Sequence, residues 1–279
     1  MMPGTFTPLV NARAVPVDSV PLQDPDSFFE NIAGAVDGNA RVAALFGTRS
    51  EGGTTTGLWV VIADDAENML ALGRTEISGT TFPSLTPRCP QVHLFEREIA
   101  EQFGLVPVGH PWLKPVRRLH DGAFYRVAGA DVHEVAVGPV HAGIIEPGHF
   151  RFQCNGEEVL HLEIMLGYQH RGVERALAGG PDRGSLHYAE TLAGDTTIGH
   201  ALTYCQICEA LAGCRPKARV QALRAVMLEL ERLANHCGDL GAIAGDIGFQ
   251  PTAACCGRIR GDFLNMTALV CGNRFGRDR

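Results

Sequence analysis

The sequence predicts an α+β domain followed by a mainly α-helical bundle domain that opens with a small antiparallel sheet. Three observations carry that reading. Apolar strand-type runs precede one amphipathic helix in the first third. A hairpin signature follows the middle of the chain, and helical periodicity dominates after about residue 184. At 279 residues the chain is long enough for two cores. We place a first domain at 1–115, a linker at 116–135 and a second domain at 136–279.

Residues 1–57 carry weak signals and end in the glycine-rich stretch GTRSEGGTTTG, read as a loop. LWVVIAD (58–64) is a β-branched, apolar strand, and MLALGRTEI (69–77) is a second strand after the turn-like DDAEN. The prolines of SGTTFPSLTPRCP make that segment a loop or edge. HLFEREIAEQFG (93–104) sets Leu94, Phe95, Ile99 and Phe103 at helical spacing and ends in glycine, a C-terminal stop. HFRFQCNGEEVLHLEIML (149–166) alternates on both sides of Asn155-Gly156, a dipeptide that favours a hairpin turn. Next come a helix over 200–213 and a longer one over 216–241. The latter has an apolar stripe of Val220, Leu223, Met227, Leu230, Ala234 and Cys237, with Pro216 in its first turn. A last helix covers 256–270.

Composition narrows the function classes. The chain is 45% hydrophobic and 20% charged, as in globular proteins, and its net charge of −7 without a basic run argues against nucleic-acid binding. No apolar run reaches membrane-spanning length and no signal-type N-terminus is present, so a cytoplasmic location without direct membrane insertion is expected. Nine irregularly spaced cysteines read as reduced thiols rather than a disulfide framework.

Several clusters carry possible chemistry. Glu96, Arg97 and Glu98 offer ion-pairing groups on one helix, on a solvated face or at a docking surface. YQHRGVER sets His170, Arg171, Glu174 and Arg175 together, suited to a proton relay, to carboxylate binding or to a hydrogen-bonded structural cluster. Glu229, Arg232 and His236 share a helix face at spacings of three and four, as a relay or as a polar seam. His141 and His149 stand in one loop as polar candidates or as caps. Cys205 and Cys208 in YCQIC are an i, i+3 pair, open to metal, redox or packing roles.

Two stretches bring in a family. FPSLTPRCPQVHLFEREIAEQFGLVPVGHPWL (82–113) resembles the signature of the respiratory complex I 30-kDa-type subunit, which packs beside the quinone-site subunit. The shared elements are the proline-rich lead-in, Glu96-Arg97-Glu98, Phe103-Gly104 and Gly109-His110-Pro111. GPVHAGIIEPGHFRFQCNGEEVLHLEIMLGYQHRGVERAL (138–177), continued by LELERLANH (228–236), resembles the large subunit of energy-converting nickel–iron hydrogenases of the formate-hydrogenlyase type. It is also similar to the 49-kDa-type quinone-site subunit of complex I. Together the likeness covers roughly residues 55–279. It implies a hydrogenase large-subunit-like fold and a subunit of a membrane-associated oxidoreductase complex. It makes Glu96, Arg97, Glu98 and His110 candidates for partner docking. His170, Arg171, Glu174, Glu229, Arg232 and His236 become candidates for site lining or proton relay, and His141 and His149 for the quinone-loop region.

The same likeness bears on cofactors. The family holds nickel and iron with four thiolates in two Cys-x-x-Cys pairs, soft ligands suited to those metals. Laid without gaps, the early pair falls on Ala193 and Thr196, and the preceding arginine on Thr191. YCQIC lies twelve residues beyond Ala193, and the second pair does not occur before Arg279. The quinone-site histidine and tyrosine positions fall on Ile145 and near Gly194. The chain therefore reads as a truncated or partial member with a degenerate site and no stably bound cofactor of its own. Implied partners are an iron–sulfur small subunit and membrane-arm subunits, which would hold the chain peripherally on the inner face of the membrane. Two alternatives stand beside this reading: an active hydrogenase fragment and a non-catalytic assembly or structural homologue.

Overall fold

The computed structural model describes residues 6–49, 55–117, 124–140 and 147–277. Contacts divide the chain into two units, one reaching His170 apart from Ala12–Ala14, the other comprising Ala12–Ala14 and the chain from Arg171 onward. The architecture is mixed α/β with largely antiparallel sheets and a C-terminal helical region, as the sequence predicts.

In the first unit, β1 (Thr7–Leu9), β2 (Leu22–Gln23), β3 (Arg41–Arg49), β4 (Thr56–Asp64) and β5 (Met69–Ile77) make a five-stranded sheet. β3, β4 and β5 run antiparallel in that order, while β1 and the parallel β2 share the outer edge of β5. Period-two burial explains β4: Leu58, Val60 and Ile62 are fully buried, whereas Trp59 and Val61 turn to the other face. Helix α1 (Pro25–Asp37) starts where Asp24 accepts a hydrogen bond from the Ser27 amide at 3.1 Å, with Pro25 at its first turn. Its buried face, Phe28, Phe29 and Ile32, joins the sheet in one apolar core. Helix α2 (His93–Phe103) adds Ile99 and Phe103 to that core and ends at Gly104, which takes φ +69° and donates its amide to the Ala100 carbonyl. Short strands β6 (Thr81–Pro83) and β7 (Val106–Val108) pair in parallel on either side of α2.

The second sheet of this unit has the order β10 (Glu158–Met165), β9 (His149–Asn155), β8 (His133–Val137), all antiparallel. The hairpin between β9 and β10 forms as expected. Asn155 pairs directly with Glu158, so the turn residues are Gly156, at φ +59°, and Glu157, one position later than Asn155-Gly156. Three features depart from the sequence reading. Residues 1–57 contain α1 and β3, and the expected linker 116–135 runs into β8. The sheet containing the hairpin groups by contacts with the preceding residues, not with the helices that follow.

The second unit is helical, with α3 (Val173–Leu177), α4 (Ser185–Glu190), α5 (Thr197–Leu211), α6 (Ala218–Asp246) and α7 (Gln250–Cys271). α6 and α7 form a long hairpin. Pro216 precedes the α6 cap residue Lys217 rather than occupying the first turn. The apolar stripe of α6 divides along its length. Met227 and Ala234 are buried, while Val220 and Leu223 face outward among the described residues.

Candidate functional site

The 30-kDa-type signature folds as an internal anchor. Glu96 is fully buried on α2, and its carboxylate gathers the preceding loop. Ser84 Oγ donates to Oε2 at 2.6 Å, Thr86 Oγ1 donates to Oε2 at 2.5 Å, and the Leu85 amide donates to Oε1 at 2.6 Å. Three short donors on one carboxylate are the arrangement that makes a buried charge tolerable. His110 lies 3.9 Å from the same carboxylate. Its Nδ1 accepts the Trp112 amide at 3.0 Å, which leaves the ring proton on Nε2, facing the His93 carbonyl at 3.2 Å.

The segment after the turn is strapped down by the same helix. Arg97 donates to the carbonyls of Lys114 at 2.7 Å and Pro115 at 3.0 Å, with its guanidinium 4.9 Å from the centre of the Trp112 ring. Burial lowers its pKa, with Glu101 opposing. Glu101 accepts the amides of Val116 and Arg117, and Glu98 holds the Arg117 guanidinium at 2.6 Å. The side chains of Glu96, Arg97 and His110, read from the sequence as docking candidates, are buried. The Glu96 carboxylate and the Arg97 guanidinium shape the loop, because an inward carboxylate or guanidinium must be met by fixed donors or acceptors. Glu98 is partly exposed but committed to Arg117. The surface beside this anchor is a largely apolar cleft of about 320 Å³, bordered by Leu94, Trp112, Lys114, Phe124, Ile164 and Leu166.

In the second sheet, His149 sits at the start of β9 with Nδ1 3.3 Å from the Gly138 carbonyl, bridging the loop between β8 and β9. His141 lies outside the described residues. On one sheet face Arg151 meets Glu134, and the buried Gln153 and then Arg151 hold that carboxyl below its usual range. Phe150, Phe152, Leu162, Ile164, Val135 and Val137 occupy matching positions on the other face.

In the helical unit the segment 191–196, onto which the family's early ligand pair falls, is held from several directions. Arg171 donates to the carbonyls of Thr191 and Leu192, the second at 3.1 Å. Asn235 of α6 donates to the Asp195 carbonyl at 2.6 Å. Glu231, one helical turn before Asn235, accepts the Ile198 amide at 2.7 Å and the Gly199 amide at 3.0 Å, which anchors α6 to the first turn of α5. Burial pushes the Glu231 carboxyl up, while those two amides and His200 pull it down.

The residues singled out from sequence distribute unevenly. Arg171 clamps the segment, whereas His170, Glu174 and Arg175 are exposed. Glu229 and Arg232 form an exposed ion pair at 3.3 Å, and His236 is also exposed. They occupy the outer face of α6. Glu231, Asn235 and Thr197 are the polar groups that sequence reasoning missed. The signal was present, since Glu231 lies four residues after Met227 and three before Ala234, on the buried face of the stripe.

A nickel–iron centre does not fit the residues present. Ala193 and Thr196 provide no thiolate, and among the described residues no group of three or more His, Cys, Asp or Glu side chains is placed to hold a metal ion. On α5 burial raises the Cys205 pKa, favouring the thiol, beside the Arg224–Glu209 pair.

Known proteins resemble this chain in sequence. Residues 59–125 match the family described as respiratory-chain NADH dehydrogenase, 30 Kd subunit. Hydrogenase-4 component G of Escherichia coli (strain K12) is 29% identical over 223 residues, which is 69% of this chain and 40% of that protein. Formate hydrogenlyase subunit 5 of the same organism is 30% identical over 224 residues, 69% of this chain and 39% of that protein. An NADH-quinone oxidoreductase subunit of Clostridium beijerinckii is 30% identical over 137 residues, covering 49% of this chain and 37% of that protein. The chain spans about two-fifths of the length of the curated relatives it matches. Residues 59–125 thus form a complex I 30-kDa-like domain, and the chain is homologous to hydrogenase-4 component G and formate hydrogenlyase subunit 5.

Proposed function

We propose that this chain is a subunit of a membrane-associated oxidoreductase complex of the hydrogenase and NADH-quinone oxidoreductase type, contributing scaffold and partner docking around a degenerate metal site. It joins a complex I 30-kDa-type module, matched over residues 59–125, to a hydrogenase large-subunit-like module in the second half of the chain. Electron transfer then runs through an iron–sulfur small subunit, and membrane-arm subunits hold the chain peripherally on the inner face of the membrane. Among the described residues no helix is long and apolar enough to cross a membrane itself.

The observation that carries this reading is the apolar surface of the helical unit. Leu269 is 86% exposed, Ile247 75% and Leu211 73%, and Leu240, Ile243 and Val270 are exposed as well. Large aliphatic side chains left exposed on several helices suit surfaces that a partner would cover. The family relationship supplies the kind of partner. With Ala193 and Thr196 at the early ligand positions, the chain holds no nickel–iron centre alone.

The test is purification from gently solubilised membranes with metal analysis of the product. The expected result is co-purification of an iron–sulfur subunit and membrane subunits, with no stoichiometric nickel on this chain. Isolation without any such partner, or with one nickel per chain, would overturn it.

A further inference from the structure

The anchored segment of the helical unit borders a small pocket that none of the roles above uses. It measures about 30 Å³, and its lining includes Gly194, Thr197, Glu231, Asn235, Arg260 and Arg274. About 10–15 Å³ suffices for one water molecule, provided two to four polar partners surround it. Those partners are present. Thr197 is 1% exposed, and its Oγ1 is buried with no hydrogen-bond partner among the described residues. Each Glu231 oxygen accepts one backbone amide, from Ile198 or Gly199, which leaves acceptor capacity on both. A buried hydroxyl without a partner is rare in folded proteins and calls for an unseen water or ion.

The charges around Glu231 come from every packed element. Asp195 lies in the loop, His200 on α5, Arg260 on α7, and Arg274 in the turn after it. Burial favours the neutral carboxyl, and the α5 amides and His200 favour the ion, so the two forms are in competition.

We propose that this cavity is a buried water and proton site, in which one water joins Thr197 Oγ1 to the Glu231 carboxyl and carries protons to and from it. On uptake the water gives one proton to a Glu231 oxygen and receives one from solvent, and release reverses both transfers. The Thr197 hydroxyl keeps its own proton and orients the water. The inference concerns this chain's own side chains and stands whether or not the chain belongs to a complex.

A pH titration of the full chain, labelled with carbon-13 at the glutamate carboxyls and followed by NMR, tests it. One glutamate resonance is expected to titrate at higher pH than those of exposed glutamates and to vanish in Glu231→Gln. In Thr197→Val, which removes the hydroxyl at nearly constant shape, the midpoint of that resonance moves further up because the ion loses its bridged partner. If Glu231→Gln does not fold, the wild type and Thr197→Val decide. Absence of any displaced glutamate, or an unchanged midpoint in Thr197→Val, would overturn the proposal.

Discussion

The sheet-and-helix half and the helical half of this chain solve the burial problem in opposite ways. In the first, Phe28, Ile32, Leu45, Leu58 and Ile62 are all within 2% of complete burial, and the charges of α2 turn inward to hold a loop. In the second, α6 and α7 bury only a few side chains, including Met227, Ala234, Ala244 and Leu264, while long aliphatic residues stay exposed. Closed cores belong to folds that complete themselves, whereas open apolar faces belong to folds built around a neighbour. On the proposed reading, the contrast places intrinsic stability in one region and recognition in the other.

The sharpest way to break that contrast is at its buried charge. Glu96→Ala strands two hydroxyls and an amide, and we expect it to cost about 3–5 kcal/mol in urea unfolding followed by tryptophan fluorescence. A loss of under about 1 kcal/mol would mean that Glu96 is not the anchor. Next, Ile62→Ala should cost about 2–5 kcal/mol, while Leu269→Ala at the exposed α7 position should stay within about 0.5 kcal/mol. Equal effects by calorimetry would erase the distinction between the halves. Leu269→Asp should nonetheless weaken co-purification of partners.

Two carboxylates in the helical unit sharpen the picture through pH. Arg224 of α6 makes a bidentate pair with Glu209 of α5, at 2.7 and 3.0 Å, and holds that carboxyl below its ordinary range. A depressed pKa contributes stability that is present above the unfolded value and lost as pH falls through the folded one. Because the pair is partly solvated, Glu209→Gln should cost only about 0.5–1 kcal/mol at neutral pH and nothing in strong acid. Glu231 has the reverse sign. Its raised pKa contributes stability that is full below the unfolded value and lost as pH rises through the folded one. Glu231→Gln should therefore flatten the alkaline side of the profile, and Glu209→Gln the acid side, in thermal melts across pH. The same direction in both would contradict these environments.

Much of the fold was legible because local patterns and tertiary demands agree. MLALGRTEI and HLFEREIAEQFG match β5 and α2 closely, since alternation and a glycine stop are local properties. α1 escaped notice although Asp24-Pro25 is a good helix start, because its flanking residues lack a strong period. β8 was hidden because all five of its residues are exposed and its pairing comes entirely from β9. For the candidate site, the YQHRGVER motif holds Arg171, which donates to the carbonyls of Thr191 and Leu192. On α6 the chosen face of Glu229, Arg232 and His236 was the outer one, and Glu231 lay around the helix on the buried side.

The sequence by itself determined the strands β4 and β5, the helix α2 and the absence of cysteine at 193 and 196, since these rest on local pattern or on residue identity. Tertiary structure decided which charges face inward. A carboxylate on an amphipathic helix reads the same whether it meets solvent or donors from a distant loop. Only the fold brought Ser84, Leu85 and Thr86 to Glu96, and the amides of Ile198 and Gly199 to Glu231. Partners remote along the chain are set by long-range packing, which no local pattern encodes.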